Sequence, residues 1–218
     1  MGVASVSASA VMGISSPVEH RMQMRQEDGI QDPAAPRPSG LDAEGIVRHE
    51  GPVIRVEQYE FELDGRRIRK DVVRHPGAVT VIPIEADGTI LLVEVGRLAV
   101  GRMLLEFCAG KLEANEEPLA AAGRELEEEV GRKAGVLEPI ATFFTSPGFC
   151  DERMHAFVAT ELSPVPRRLE PGEEIEVVRM TPDEIDAAIL DGRIDDGKTI
   201  AAWHLVRARD RNGGGWLR

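Results

Sequence analysis

A run of acids at the end of one short helix constrains this chain more than any other feature: Arg124-Glu125-Leu126-Glu127-Glu128-Glu129-Val130-Gly131. The pattern predicts a helix that begins near Glu116 to Pro118 and stops at Gly131. Asn115 is placed to cap it, Pro118 is tolerated in a first turn, and Glu116 and Glu117 suit the positive end of the dipole. At about 100° per residue, Leu119, Ala122, Leu126 and Val130 form one apolar stripe and should face the core. Glu125 and Glu129 are four apart and Glu128 is three from Glu125, so all project beside that stripe. Like charges at this spacing repel, and the last turn is where the dipole disfavours anions. Gly123 adds a cost of about 1 kcal/mol against alanine. Taken alone, such a run is more often a solvated face. Gly110 and Glu116, at their distances upstream, reverse that balance. Acids clustered this way need a cation among them. Mg²⁺ or Mn²⁺ is the natural one, and a phosphate compound is the natural substrate.

With these residues in hand, the chain resembles the Nudix hydrolases. Their signature is G-x5-E-x7-R-E-U-x-E-E-x-G-U, with U a bulky apolar residue. Gly110, Glu116, Arg124, Glu125, Leu126, Glu128, Glu129 and Gly131 match it in register, and Arg132 departs from the apolar last position. The flanks narrow the resemblance to the ADP-ribose pyrophosphatases. Leu105 to Glu113 is similar to their L-E-x-P-A-G-K-x-E segment, with Cys108 in place of proline. Ser146-Pro147-Gly148-Phe149, followed by Asp151-Glu152, is similar to their S-P-G-x-x-x-E loop. Leu91 to Arg97 keeps only Arg97 of their Q-Y-R segment. The resemblance covers about residues 45 to 207.

What the resemblance implies is an Mg²⁺-dependent hydrolysis of ADP-ribose to AMP and ribose 5-phosphate, with Mg²⁺ or Mn²⁺ and two or more ions. Glu125 and Glu129 are expected to hold metal, with Glu128 binding or orienting a second ion and the Ala109 carbonyl completing the site. Arg97, Glu106, Arg66 and Pro147 are the substrate-side residues. Gly110, Glu116 and Arg124 support them, and Arg124 is spaced to pair with Glu128. Glu116 either orders the loop before the helix or complements its dipole. A further catalytic glutamate is expected on the acidic loop Leu169 to Val178, with Glu173 preferred and Glu174 next. A solvated turn is the other reading of that loop. Arg97 is read as a diphosphate contact or as a surface ion pair.

The 218 residues suffice for one well-cored domain with extras. The formal net charge of −12, from 26 Lys+Arg against 38 Asp+Glu, argues against sequence-blind nucleic-acid binding. Cys108 and Cys150 imply no disulfide framework. His20, His49, His75, His155 and His204 show no metal-ligand spacing. No stretch is long enough to span a bilayer, and Met1 to Ser16 lacks the basic start of a secretory signal. The protein is therefore read as cytoplasmic, with a small nucleoside diphosphate as its partner and neither nucleic acid nor membrane.

The fold class expected is α/β, a Nudix α/β/α sandwich with a mixed sheet behind a small strand-rich N-terminal lobe. Residues 1–41 are small, polar and proline-dotted and read as a disordered tail. Residues 42–75 form the lobe, with Asp64-Gly65 as a hairpin turn. Residues 76–209 form the catalytic domain, and 210–218 a loose tail. Strands are expected at 78–84, 89–95, 104–107, 139–145, 153–162 and 174–180. Thr181 to Glu184 is a capping box opening a helix to about Leu190. A last helix runs from Lys198 to about Arg209, with Ile200, Trp203, His204 and Val206 near one side. The resemblance further implies a homodimer through the lobe, with Tyr59, Phe61 or Arg66 near an adenine. Two other readings stay open: a hydrolase of another nucleotide sugar such as GDP-mannose, and a module that senses nucleotide without cutting it.

Overall fold

The computed structural model describes residues 39–169 and 171–217, so the expected disordered tail lies, up to residue 38, outside the described residues. The compact unit runs Ala43–Arg218. It opens with three antiparallel strands, β1 (Gly45–Glu50), β2 (Arg55–Leu63) and β3 (Arg66–Arg74), with Asp64 and Gly65 turning the second hairpin at positive φ. Two sheets follow. In one the order is β7 (Cys108–Lys111), β4 (Ala78–Pro83), β10 (Arg153–Thr160), β9 (Val136–Phe144). β10 runs parallel to β4 and the other pairs are antiparallel, which makes the sheet mixed. In the other, β12 (Ile175–Met180), β5 (Ile90–Arg97) and β6 (Arg102–Glu106) lie side by side. Short β8 (Arg132–Lys133) and β11 (Ser163–Pro164) pair with each other.

Period-2 alternation divides the core into two layers. Val79 and Val81 of β4, with Leu91 and Val93 of β5, face helix α1 (Pro118–Glu125) and pack on Ala121, Ala122, Leu126 and Val130. Ile82, Ile90 and Leu92 face the other way. They pack with Phe107, with Ile185 of α2 (Pro182–Leu190), and with Trp203 and Val206 of α3 (Gly197–Arg209). The expected α/β sandwich is thus present. The capping box at Thr181 and Glu184 is made in full. Among the described residues, no helix is long and apolar enough to cross a membrane.

Several local expectations are corrected. Asn115 does not cap α1. It sits at φ +62° in the turn before the helix, a conformation asparagine tolerates, and Glu117 is the N-cap. Leu119 is 53% exposed. It lies in the first turn, ahead of the buried pair Ala121–Ala122 where contact with the sheet begins. α1 does not run on to Gly131 as a plain helix. After Glu125 it widens into a π-helical turn, Leu126–Val130, that Gly131 ends at φ +69°. His204 is exposed, although its neighbours Trp203 and Val206 are buried. The tail is not loose. Asp210 accepts hydrogen bonds from the Trp216 and Leu217 amides at 2.8 and 3.0 Å, and both side chains pack on the core.

Candidate active site

The site is assembled where β7 meets α1. β7 was not expected as a strand, because its Cys108-Ala109-Gly110-Lys111 lacks the bulky β-branched residues that mark one. Its pairing with β4 (Ala109 opposite Thr80, Gly110 opposite Val79) lays its backbone against the helix. The Ala109 amide donates to Glu129 Oε2 at 3.1 Å. Gly110 leaves room for the Glu125 carboxylate, which a Cβ at this position would overlap. The signature glycine is therefore a steric requirement of the first glutamate.

Glu125 and Glu129 are 9% and 6% exposed. Burial pushes the Glu129 carboxyl up to about 8, the charges of Glu125 and Glu173 push the same way, and the Ala109 amide and Arg97 oppose. Burial also raises Glu125; Arg124 opposes, while Glu128 and Glu173 add to the rise. The pair is thus short of positive charge despite a neighbouring guanidinium.

That guanidinium organises the outer edge. Arg124 meets Glu116 through Nε and Nη2 at 2.9 and 3.0 Å, in a bidentate fork. Its Nη1 bridges Glu125 at 2.7 Å and the expected partner Glu128 at 3.1 Å. Glu116 also accepts from the Glu113 amide at 2.9 Å, so it orders the loop before the helix. Arg124 holds its carboxyl below the usual range.

A cavity of about 550 Å³ opens beside this assembly. Arg97, Ala109, Gly110 and Lys111 line one wall, His75, Phe144, Ser146 and Glu152 another, and Asp196 and Lys198 a third. Arg97 grips the buried Glu106 with Nε at 2.9 Å and Nη2 at 2.6 Å. Lys198 Nζ contacts the same carboxylate and reaches Asp196 at 3.0 Å. Glu106 therefore sets two cations on the wall rather than facing the cavity itself. The loop Ser146–Glu152 is tied down from several sides. Asp151 accepts from the His75 amide at 2.8 Å and pairs with Arg74 at 3.0 Å, and Thr145 donates to Glu152 at 2.5 Å.

Of the residues expected from sequence, the fold brings Arg97, Ala109 and Gly110 to the cavity, with Glu125 and Glu129 directly against the last two. Glu173 and Glu174 lie on the loop before β12, exposed, and Glu173 is near enough for its charge to bear on both buried glutamates. Pro147 is exposed and its neighbour Ser146 lines the cavity instead. Arg66 stands at the hairpin tip, at the opposite end of β3 from Arg74 and His75, and does not line this cavity. His75, Lys198 and Asp196 were missed as site residues. Asp196 carried a signal, since it caps α3 by accepting from the Thr199 amide at 2.9 Å and so aims that helix start at the cavity. Cys108 is fully buried, with its thiol raised by burial, and no disulfide joins it to Cys150.

The donors present are carboxylate and backbone oxygens, which suit a hard divalent ion. Among the described residues, no three acidic, histidine or cysteine side chains converge on one point. Arg124 Nη1 occupies the position between Glu125 and Glu128. A divalent ion held by Glu125 and Glu129 would thus need further oxygen ligands from outside these side chains.

The chain is similar to known proteins along most of its length. The family model described as the NUDIX domain matches residues 74–203. The chain is 38% identical over 163 residues to the ADP-ribose pyrophosphatase of Bacillus subtilis, covering 73% of this chain and 88% of that one. It is 33% identical over 161 residues to the GDP-mannose pyrophosphatase of Yersinia enterocolitica, covering 67% and 84%. A solved structure titled as an ADP compounds hydrolase superposes with a TM-score of 0.71 at 24% identity, over 83% of this chain and 98% of that one.

Proposed function

We propose that this chain, which belongs to the Nudix family of pyrophosphohydrolases, hydrolyses the diphosphate of ADP-ribose to AMP and ribose 5-phosphate with Mg²⁺ as its ion. The observation that carries the reading is the buried, mutually repelling pair Glu125–Glu129 set against a cavity whose wall holds Arg97 and Lys198. Glu125 and Glu129 would hold the ion, and Glu128, which here pairs with Arg124, would bind or orient a second one. Bound there, Mg²⁺ supplies the charge neutralisation that a diphosphate needs. Arg97, Lys111 and Lys198 orient phosphate oxygens. Glu173, with Glu174 beside it, takes the proton of the attacking water as the bridging P–O bond breaks. The cavity lies within the range of small-ligand sites.

The similarity to GDP-mannose pyrophosphatases supports a second substrate reading, and the loss of the Q-Y residues before Arg97 fits it. A panel of ADP-ribose, GDP-mannose and related nucleotide sugars with Mg²⁺, scored by release of the nucleoside monophosphate, separates the two. A preference for ADP-ribose is expected, and a preference for GDP-mannose would overturn that substrate. The reading includes a cytoplasmic homodimer through β1–β3, supported by exposed Ile46 and Val47 on β1. Light scattering tests the assembly.

A further inference from the structure

The chain leaves β11, runs past the end of the signature helix and returns as β12 just after Glu173, and one side chain, that of Arg167, spans from the helix end to the start of β12. The Val165 amide donates to Gly131 O at 3.0 Å and the Arg168 amide to Glu128 O at 3.2 Å, which laces this segment to the helix end. Arg168 adds an ion pair to Glu127 at 3.5 Å. Between those bonds, Arg167 Nη2 donates to Ile175 O at 2.8 Å. Ile175 is the buried first residue of β12 and pairs with Val95, and Glu174 O accepts from the Gly96 amide at 3.4 Å. The stem of Arg167 runs over Gly131. A Cβ at that glycine would stand 2.7 Å from Arg167 Cγ and 3.0 Å from Val165 O. Gly131 thus serves twice, as the left-handed end of the helix and as the floor on which Arg167 lies.

We propose that Arg167 is a positioning residue that clasps the start of β12, at Ile175, to the helix end at Gly131, and thereby holds the stretch that carries Glu173 close to the Glu125–Glu129 pair. The proposal rests on the hydrolase reading above. Arg167 lines no part of the cavity, so its effect on turnover runs through the loop. An unclasped exposed loop samples many positions, and misplacing a reacting group by about 1 Å costs about a hundredfold in rate.

The test uses Arg167→Met, which keeps the stem over Gly131 and deletes the donor, and Arg167→Lys, which restores one donor. Hydrogen exchange is followed at the Gly172, Glu173 and Glu174 amides, and turnover is read on whichever substrate of the panel the parent enzyme prefers. Arg167→Met is expected to exchange faster at these amides and to lose about ten- to a hundredfold in kcat with KM within about twofold, and Arg167→Lys to recover part of both. Faster exchange with unchanged kcat overturns the positioning role. Unchanged exchange overturns the clasp, whatever the substrate proves to be.

Discussion

The Cα of Gly110 lies so close to the Glu125 carboxylate that a Cβ built on it would fall within the carboxyl group. Relief requires moving either β7, which is paired to β4, or the buried glutamate. Gly110→Ala should therefore cost about 1–3 kcal/mol of stability from overpacking. Its turnover should fall by about two orders of magnitude, because the displaced carboxylate is the one proposed to hold metal. Thermal melts and initial rates check both. Unimpaired turnover would mean that the position of Glu125 does not matter to the chemistry.

Glu129→Gln separates the electrical role of this side chain from its shape. The amide keeps an oxygen for the Ala109 N–H and loses the charge. Turnover should drop by about two orders of magnitude or more. In metal-free buffer at pH 9 the variant should melt at a higher temperature than the parent, because it no longer buries an ionised group beside Glu125. A lower melting temperature there would contradict the picture of a pair waiting for a cation.

Much of this site was legible in the sequence because it is local. Gly110, Glu116, Arg124 and the three glutamates lie on one loop–helix unit, and their spacing in the chain sets their spacing in the fold. Where partners come from distant segments, the reading thinned. Nothing about Lys198 in isolation announces that it meets Glu106, or about Asp151 that it receives Arg74, since β3, β6 and α3 come together only through the sheets. The π-helical turn at Leu126–Val130 was invisible as well, because the spacing of apolar residues that marks a helix does not tell an α turn from a single widened one. The tail misled for a similar reason. A glycine run reads as slack, yet Trp216 beyond it is drawn onto the core and to Glu138.

Stability without metal should fall as pH rises. The folded carboxyl of Glu129 titrates at about 8 against an ordinary 4.5, so the folded state keeps a proton that the unfolded chain releases. That contribution is fully present below 4.5 and is lost as pH climbs through 8, and the raised Glu125 acts in the same direction. Glu57, held down at about 2 chiefly by Tyr59 and Arg74, loses its own contribution only in strong acid, outside this window. Urea midpoints in EDTA at pH 5.5 and 9 should therefore decline, while the gain on adding Mg²⁺ should grow over the same interval because protons and cations compete for the pair. A metal-free midpoint that climbed would overturn the assignment of the raised carboxyls.

The tie between β3 and the cavity loop predicts an effect on substrate affinity. Arg74 spans the two, with Nε on the buried Glu57 at 2.8 Å and Nη1 on Asp151 at 3.0 Å, and Tyr59 shares the network. Asp151 in turn fixes the His75 amide, and the next residue, Glu152, faces the cavity. Asp151→Asn keeps an acceptor for His75 and removes the charge that Arg74 holds. Because that pair is partly exposed, its loss should cost at most about 1 kcal/mol of stability. The loop should nevertheless drift, raising KM about three- to tenfold with kcat within about twofold, since binding loosens in ground and transition states alike. Arg74→Met should give the same KM and a larger loss of stability, because it also leaves the Glu57 carboxylate, itself buried, short of its strongest cation. Steady-state kinetics with parallel melts of both variants decide the matter. A fall in kcat at unchanged KM would place Asp151 in the chemistry rather than in the wall of the binding site.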